Sequence, residues 1–254
     1  MPANYFQPGP DRAALVEDLF AVVAPRYDRL NDLQSLGLHR LWKRRLVRLA
    51  QAGPADRALD VCCGTGDITL ALADAGAEVT GLDFSEPMLA VARHRAGCPR
   101  PARRVRFLQG DALHLPFPDH SFEVVTISYG LRNLADFERG LDELQRVLVP
   151  GGRLLVLDFG HPDSPVWRSL YFAYLGWAVP LFGRVFAGNA PAYAYILDSL
   201  RAYPAQRGVE AGLARRGFSD RRILPLLGGM MSINTARAPR PGGAPAVRGG
   251  RREG

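Results

Sequence analysis

Acidic and hydroxyl residues close several short apolar runs of this chain, each where a strand would hand over to a turn or helix. The first run, Ala58-Leu-Asp60-Val-Cys-Cys, leads into Gly64-Thr65-Gly66, and Asp67 then opens a helical pattern. A strand, a glycine turn and a helix start form the layout of a nucleotide pocket at a strand's carboxyl end. The glycines let backbone approach a ligand where a Cβ would collide. No Gly-Lys-Ser/Thr follows, so a triphosphate is not the expected guest, and Leu70 and its neighbours fill the third slot of a full Gly-x-Gly-x-x-Gly. A second run, Glu78–Asp83, ends in an acid 23 positions after Asp60, where a ribose diol would donate to a carboxylate. Val105–Leu108 runs into Gln109-Gly110-Asp111-Ala112, and Phe122–Ile127 ends in Ser128. Four consecutive strands with polar carboxyl ends define the edge at which open α/β sheets bind ligands.

This series resembles the class I S-adenosylmethionine-dependent methyltransferases. Three further segments are similar to the ubiquinone/menaquinone-biosynthesis C-methyltransferase family: residues 19–45, with Pro25-Arg-Tyr27-Asp at their centre; Ile127-Ser-Tyr-Gly-Leu-Arg132-Asn133; and Tyr193-Ala-Tyr-Ile-Leu-Asp-Ser-Leu-Arg201. Leu144–Asp158, with its Pro-Gly-Gly, fits as well but is generic to many methyltransferases. The resemblance covers about residues 15–236. It implies an α/β fold of the Rossmann-like class I type. The sheet would have seven mostly parallel strands with an antiparallel hairpin strand at the C-terminal end, and helices on both faces.

The same resemblance implies S-adenosylmethionine as methyl donor and no metal. Thr65 would lie against the methionine portion, Asp83 would take the ribose hydroxyls, Asp111 and Ala112 would border adenine, and Ser128 would sit beside the sulfonium. Asp60 and the backbone of Gly64 and Gly66 would shape the same pocket. The acceptor would be a demethylated polyprenyl quinol, with Arg132 and Asn133 fixing one of its oxygens and Tyr27 completing the pocket. A guanidinium there would stabilise developing oxyanion character. His161 has a suitable intrinsic pKa for a base, although a lone loop histidine is more often a turn residue. Cys62-Cys63, found among menaquinone-type relatives, leans the substrate toward demethylmenaquinol; an ubiquinone precursor or a phytyl naphthoquinol is the alternative. After Gly228-Gly229 the chain reads Met-Met-Ser-Ile-Asn-Thr-Ala-Arg, not the His-x-Gly-Tyr-Lys-like ending of many members. No substrate contact is therefore assigned to the last strand.

Composition agrees with a single enzyme domain: 254 residues, 47% apolar and 22% charged, suffice for a sizeable core. Three cysteines, with no second Cys or His pair at ligand spacing, predict reduced thiols rather than disulfides or zinc. The net charge of +7 invites a nucleic-acid reading. Yet Lys43 is the sole lysine among 32 basic residues, so arginine richness runs through the whole chain. Five arginines and one glutamate lie from Arg237 onward, in a Pro/Gly-rich tail (237–254) expected to be disordered. A nucleic-acid methyltransferase would more naturally carry Asn/Asp-Pro-Pro-aromatic after the fourth strand, where this chain has Ser128-Tyr-Gly-Leu. A non-catalytic cofactor-binding scaffold is the other competing class.

The remaining elements must position this edge. Helices are expected at 11–24, 38–50, 67–75, 86–95, 136–147 and 205–216, a turn at Val149–Gly152, and strands at 153–157, 220–226 and 229–235. Residues 1–236 form one expected domain: N-terminal helices (11–50), a nucleotide-binding core (57–158) and a helical aromatic insertion (164–202). Within the insertion, Ser169–Gly183 is the most apolar tract. Its 15 charge-free residues fall short of the roughly 18–20 that span hydrocarbon. It reads as a cover for an apolar substrate, as a shallow interfacial element or as plain helix core. Met1–Gln7 has neither a basic start nor an apolar run, so the expected location is cytoplasmic, with peripheral contact at the inner face of the membrane. A homo-oligomer is left open.

Overall fold

The computed structural model describes residues 31–32, 35–97, 104–182, 200 and 203–240, with side chains to 176 in the long aromatic helix. The helix expected at 11–24, Tyr27, Cys98, residues 183–199 and the tail beyond 240 lie outside the described residues.

In chain order the elements are α1 (Leu38–Ala50), β1 (Arg57–Val61), α2 (Asp67–Asp74), β2 (Glu78–Asp83), α3 (Glu86–Ala96), β3 (Arg104–Gln109), β4 (Phe122–Ser128), α4 (Phe137–Val147), β5 (Leu148–Phe159), α5 (Pro165–Phe182), α6 (Ala205–Arg215), β6 (Ser219–Leu226) and β7 (Met231–Arg237). The strands form one sheet in the order β3-β2-β1-β4-β5-β7-β6. The pairs from β3 to β5 are parallel, whereas β7 runs antiparallel to both β5 and β6. This is the mostly parallel, seven-stranded arrangement the sequence implied. The strand order reverses direction between β1 and β4, the place where such sheets open a crevice.

Alternation along the central strands divides the core into two layers, because successive side chains of a strand face opposite sides. Leu154 and Val156 of β5 pack with Leu141 and Leu144 of α4 and Val209 and Leu213 of α6. Leu155 and Leu157 face the other way, towards Leu46 of α1 and Ile68 and Leu72 of α2. Helix α4 is a clear case of sequence dictating local structure. The Asp136 carboxylate accepts from the Arg139 N–H at 2.9 Å and caps the helix. Leu141, Leu144 and Val147 then recur at helical spacing on its buried face.

Two boundaries differ from expectation. Val149–Gly152 is not a turn outside the sheet, since β5 runs from Leu148 to Phe159 through it. Leu148 pairs with Phe122 and Arg153 with Val124, so the Pro-Gly-Gly is bulged out of register, with Gly151 at φ 78°. The last strand begins at Met231 rather than Gly229. Gly228 and Gly229, at φ 63° and 95°, belong to a short 3-10 turn (Leu227–Gly229) that no extended strand would tolerate.

Candidate active site

The register of the parallel strands brings their carboxyl ends level: Asp60 lies opposite Gly81 on one side and Thr126 on the other, and Val61 lies between Leu82 and Ile127. Beyond this line the Gly64-Thr65-Gly66 turn folds back over β2. The Gly64 N–H donates to Oδ2 of Asp83 at 2.8 Å and the Ser85 N–H to Oδ1 at 3.0 Å. Asp83 is therefore oriented by backbone before any ligand arrives, and burial pushes its carboxyl above the usual range while these two donors pull it back. Gly64 and Gly66 are left-handed, at φ 54° and 84°, and a Cβ on Gly66 would come within 3.2 Å of Ala92 and Phe107.

The turn is clamped from outside. Lys43 of α1 donates to Oδ2 of Asp67 at 2.7 Å, Arg95 of α3 pairs with its other oxygen, and Arg95 also donates to the Thr65 carbonyl at 2.8 Å. Burial would raise the Asp67 carboxyl, but Lys43 and Arg95 outweigh it and hold it down at about 2. The chain's sole lysine thus ties α1 to the glycine turn, a link between distant residues that spacing does not reveal. Beneath the turn, Asp60 accepts from Thr69 Oγ1 at 2.7 Å and Thr126 Oγ1 at 2.8 Å. Burial dominates there and lifts its carboxyl to about 6.

A cavity of about 290 Å³, close to the roughly 300–1,000 Å³ of small-molecule pockets, opens along this edge between the turn and the loop after β4. Of the sequence-predicted residues, Gly64, Asp83, Asp111, Ala112, Ser128 and Asn133 line it. Its walls are otherwise mainly apolar, from Leu82, Met88, Leu113 and Leu134. Asp60, Thr65, Gly66 and Arg132 are not among its lining residues. Asp60 is a strut below the floor, and Thr65 is 3% exposed. Asp111 is half-occupied locally: its oxygens meet the Leu113 N–H at 2.9 Å and His114 Nδ1 at 3.1 Å. Ser128 Oγ is buried without a hydrogen-bond partner among the described residues.

The loop after β4 was not foreseen in its geometry. Tyr129 is left-handed at φ 59°, and a 3-10 turn over Leu131–Asn133 follows. The Asn133 amide donates back to the Tyr129 carbonyl at 3.0 Å. Arg132 turns away towards β5, with Nε 3.3 Å from Oδ1 of Asp158 and its guanidinium 4.9 Å from the centre of the Phe159 ring. Both charges are nearly buried, and Asp158 sits at about 6 because burial outweighs the pull of Arg132. His161 follows β5; its backbone N–H donates to Gln206 Oε1 at 2.8 Å and its Nε2 lies 3.0 Å from the Leu200 carbonyl. Burial raises the Cys62 and Cys63 thiols well above their usual range, which suits packing rather than nucleophilic work. Among the described residues no group of three or more His, Cys, Asp or Glu is placed to hold a metal ion.

Many of the arginines are spent on internal ion pairs. Arg40 pairs with Asp32, Arg93 with Glu86, Arg95 with Asp67 and Arg104 with Glu78.

A Rossmann-like sheet closed by an antiparallel strand, with a glycine turn locked to the acid ending β2, is the framework of the class I S-adenosylmethionine-dependent methyltransferases. Within that class the sequence model of the ubiE/COQ5 methyltransferase family matches residues 10–237, and the chain belongs to that family. It is 45% identical over 223 residues to the demethylmenaquinone methyltransferase of Thermus thermophilus, covering 87% of this chain and 100% of that one. It is 42% identical over 236 residues to the demethylmenaquinone methyltransferase of Desulfitobacterium hafniense, covering 91% and 93%. Among solved structures, a magnesium protoporphyrin IX methyltransferase from Synechocystis, crystallised with SAH, superposes with a TM-score of 0.63 over 89% of this chain and 99% of that one. At 20% identity that likeness speaks for the fold alone.

Proposed function

We propose that the protein transfers the methyl group of S-adenosylmethionine to a ring carbon of a demethylated polyprenyl quinol, demethylmenaquinol before a benzoquinol. The observation that carries the reading is Asp83, fixed by the Gly64 and Ser85 N–H groups yet lining the cavity. A carboxylate oxygen has lone pairs to spare after one N–H bond, so Asp83 can still accept from both hydroxyls of a ribose. Asp111 and Ala112 would border the adenine, with Leu113 and Met88 as apolar wall. Ser128, its oxygen unpartnered, would face the sulfonium end. Thr65 would support the methionine portion through the turn it belongs to, and Gly64 and Gly66 keep that turn close.

When bound, S-adenosylmethionine supplies a methyl group already activated on a sulfonium. The chain's own residues are left to align the acceptor carbon, exclude water and stabilise charge on the acceptor's oxygens. Alignment alone can supply up to roughly 7–11 kcal/mol. Asn133 would orient one quinol oxygen from the cavity wall, and Arg132 would bias it electrostatically from the Asp158 side. Tyr27 keeps its proposed place in the acceptor pocket on the family pattern alone.

A polyprenyl substrate resides in a bilayer, so the enzyme must meet one. Among the described residues no helix is long and apolar enough to cross a membrane. Val166, Trp167, Leu170 and Tyr174 are nevertheless exposed at helical spacing on α5, with Leu227 also exposed on the β6–β7 turn. This stripe would rest on the inner face of the cell membrane, as interfacial helices do.

The deciding experiment is methyl transfer from labelled S-adenosylmethionine to reduced demethylmenaquinol in detergent, beside a demethylated benzoquinol and bulk tRNA. Labelled menaquinol is the expected product. Label in the benzoquinol alone moves the substrate to the ubiquinone branch, and label in tRNA alone removes the quinol reading.

A further inference from the structure

Tyr171 lies on the inner face of α5, in a small apolar cluster with Leu175 and Leu200 against Phe159, Phe172 and Met230. It is 3% exposed, and its hydroxyl is buried with no hydrogen-bond partner among the described residues. Such a group is a standing cost in the free protein, and a phenylalanine would fill the same space without it. The surroundings are not apolar throughout. Phe159, which packs against the cluster that holds Tyr171, also carries the Arg132 guanidinium on its ring. Burial raises the Tyr171 phenol, with Arg132 lowering it and Asp158 raising it. Among the described residues, Ser128 at the carboxyl end of β4 and Ser85 just after β2 carry further buried hydroxyls without a hydrogen-bond partner.

We infer that the Tyr171 hydroxyl is a hydrogen-bonding group for one oxygen of the aromatic acceptor, holding the ring against Phe159 beside the Arg132–Asp158 pair. The inference rests on the quinol reading above and extends it. On this reading, the hydroxyl has no partner among the described residues because that partner comes with the acceptor. The aromatic tract that reads in sequence as an apolar cover then has a second task, fixing ring orientation through one polar atom. Tyr171 thereby belongs to substrate recognition, with no part in holding the cofactor.

The test is Tyr171→Phe in the full chain, followed by three readouts: S-adenosylmethionine affinity by calorimetry, thermal midpoint, and kcat and KM for reduced demethylmenaquinol. Unchanged cofactor affinity, an unchanged or raised midpoint and a KM raised about ten-fold, the size of one neutral hydrogen bond, are expected. A merely tolerated packing defect predicts the same midpoint but unaltered KM and kcat, and that result overturns the inference. So does a lowered midpoint with cofactor affinity lost in parallel, which makes the hydroxyl structural. As a second measurement, analogues with either hydroxyl removed are compared in both proteins. For one of them the difference between wild type and variant should vanish; its persistence in both analogues also overturns the assignment. If wild type methylates none of these acceptors, the functional reading fails first and the inference with it.

Discussion

Asp60→Asn should make the protein more stable relative to wild type as pH rises, and the size of the effect follows from burial. The wild-type carboxyl has an ordinary value of 3.8 and stands at about 6 in the fold, raised by desolvation against the hydroxyl bonds from Thr69 and Thr126. The folded state therefore holds this proton more tightly than the unfolded chain. Its contribution is fully favourable below the unfolded value and is lost as pH climbs through about 6. A rise of about two units corresponds to about 3 kcal/mol at completion, of which about 2 kcal/mol falls between about pH 4.5 and about pH 8. Asparagine does not titrate. It keeps one threonine bond on its amide oxygen and asks the other hydroxyl to turn and accept, a fixed offset with no pH dependence. Asp158 also stands at about 6, but it is present in both proteins and drops out of the difference. Urea unfolding of both at the two pH values yields the number directly. A wild-type-to-variant difference that is the same at both, within about 0.5 kcal/mol, refutes the claim that Asp60 is ionised at a cost beneath the pocket.

The opposite slope is expected of Asp67, held at about 2 by Lys43 and Arg95: the advantage of wild type over Asp67→Asn, on the order of 2 kcal/mol, is present above about pH 4 and disappears on acidification towards about pH 2. Gly130→Ala should destabilise by about 1–3 kcal/mol, because a Cβ there would stand 2.5 Å from Cys62 Cβ and 2.7 Å from its Sγ. Cys62→Gly, which suits the φ of 55° at that site, should restore the thermal midpoint, and no rescue would place the clash elsewhere. Asp83→Ala should weaken S-adenosylmethionine binding at least ten-fold, by about 1.4 kcal/mol or more, while Arg132→Ala lowers turnover and leaves that binding nearly intact. Equal calorimetric losses in the two variants contradict this division of roles. Replacing Trp167 and Leu170 by serine should release the protein from sedimenting anionic vesicles without altering cofactor affinity, and retention in the pellet removes α5 as the membrane face.

Much of the edge was legible because strand ends are local: an apolar run, an acid, a glycine turn and a helix start are read within a dozen residues. Asp83 and Ser128 fall where their runs end, and the parallel register brings them to one cavity. What local patterns miss is the direction a side chain takes after the strand stops. Arg132 sits next to Asn133 in sequence, yet the 3-10 turn sends Asn133 to the cavity and Arg132 to Asp158. The clamp of Lys43 and Arg95 on Asp67 joins three helices, and the Pro-Gly-Gly bulge depends on what lies opposite it in β4. Contacts of that kind are set by packing, and no window of one chain segment contains them.

The Arg132–Asp158 pair bears on how charge in the acceptor can be met. A guanidinium stays protonated at any working pH, so Arg132 can stabilise an oxygen anion but cannot remove its proton. Asp158 is fixed by the Phe159 N–H at 2.8 Å and the Arg132 N–H at 3.3 Å, which leaves it an anchor for the guanidinium. Such a pair is close to neutral as a whole, so its use is directional: a dipole held between β4 and β5, set before substrate enters and needing little reorganisation as charge develops. A ring seated on Phe159 would lie along that dipole, with Tyr171 on the helix side. On the proposed quinol reading, the alkyl tail would leave along α5, past its exposed Trp167 and Leu170.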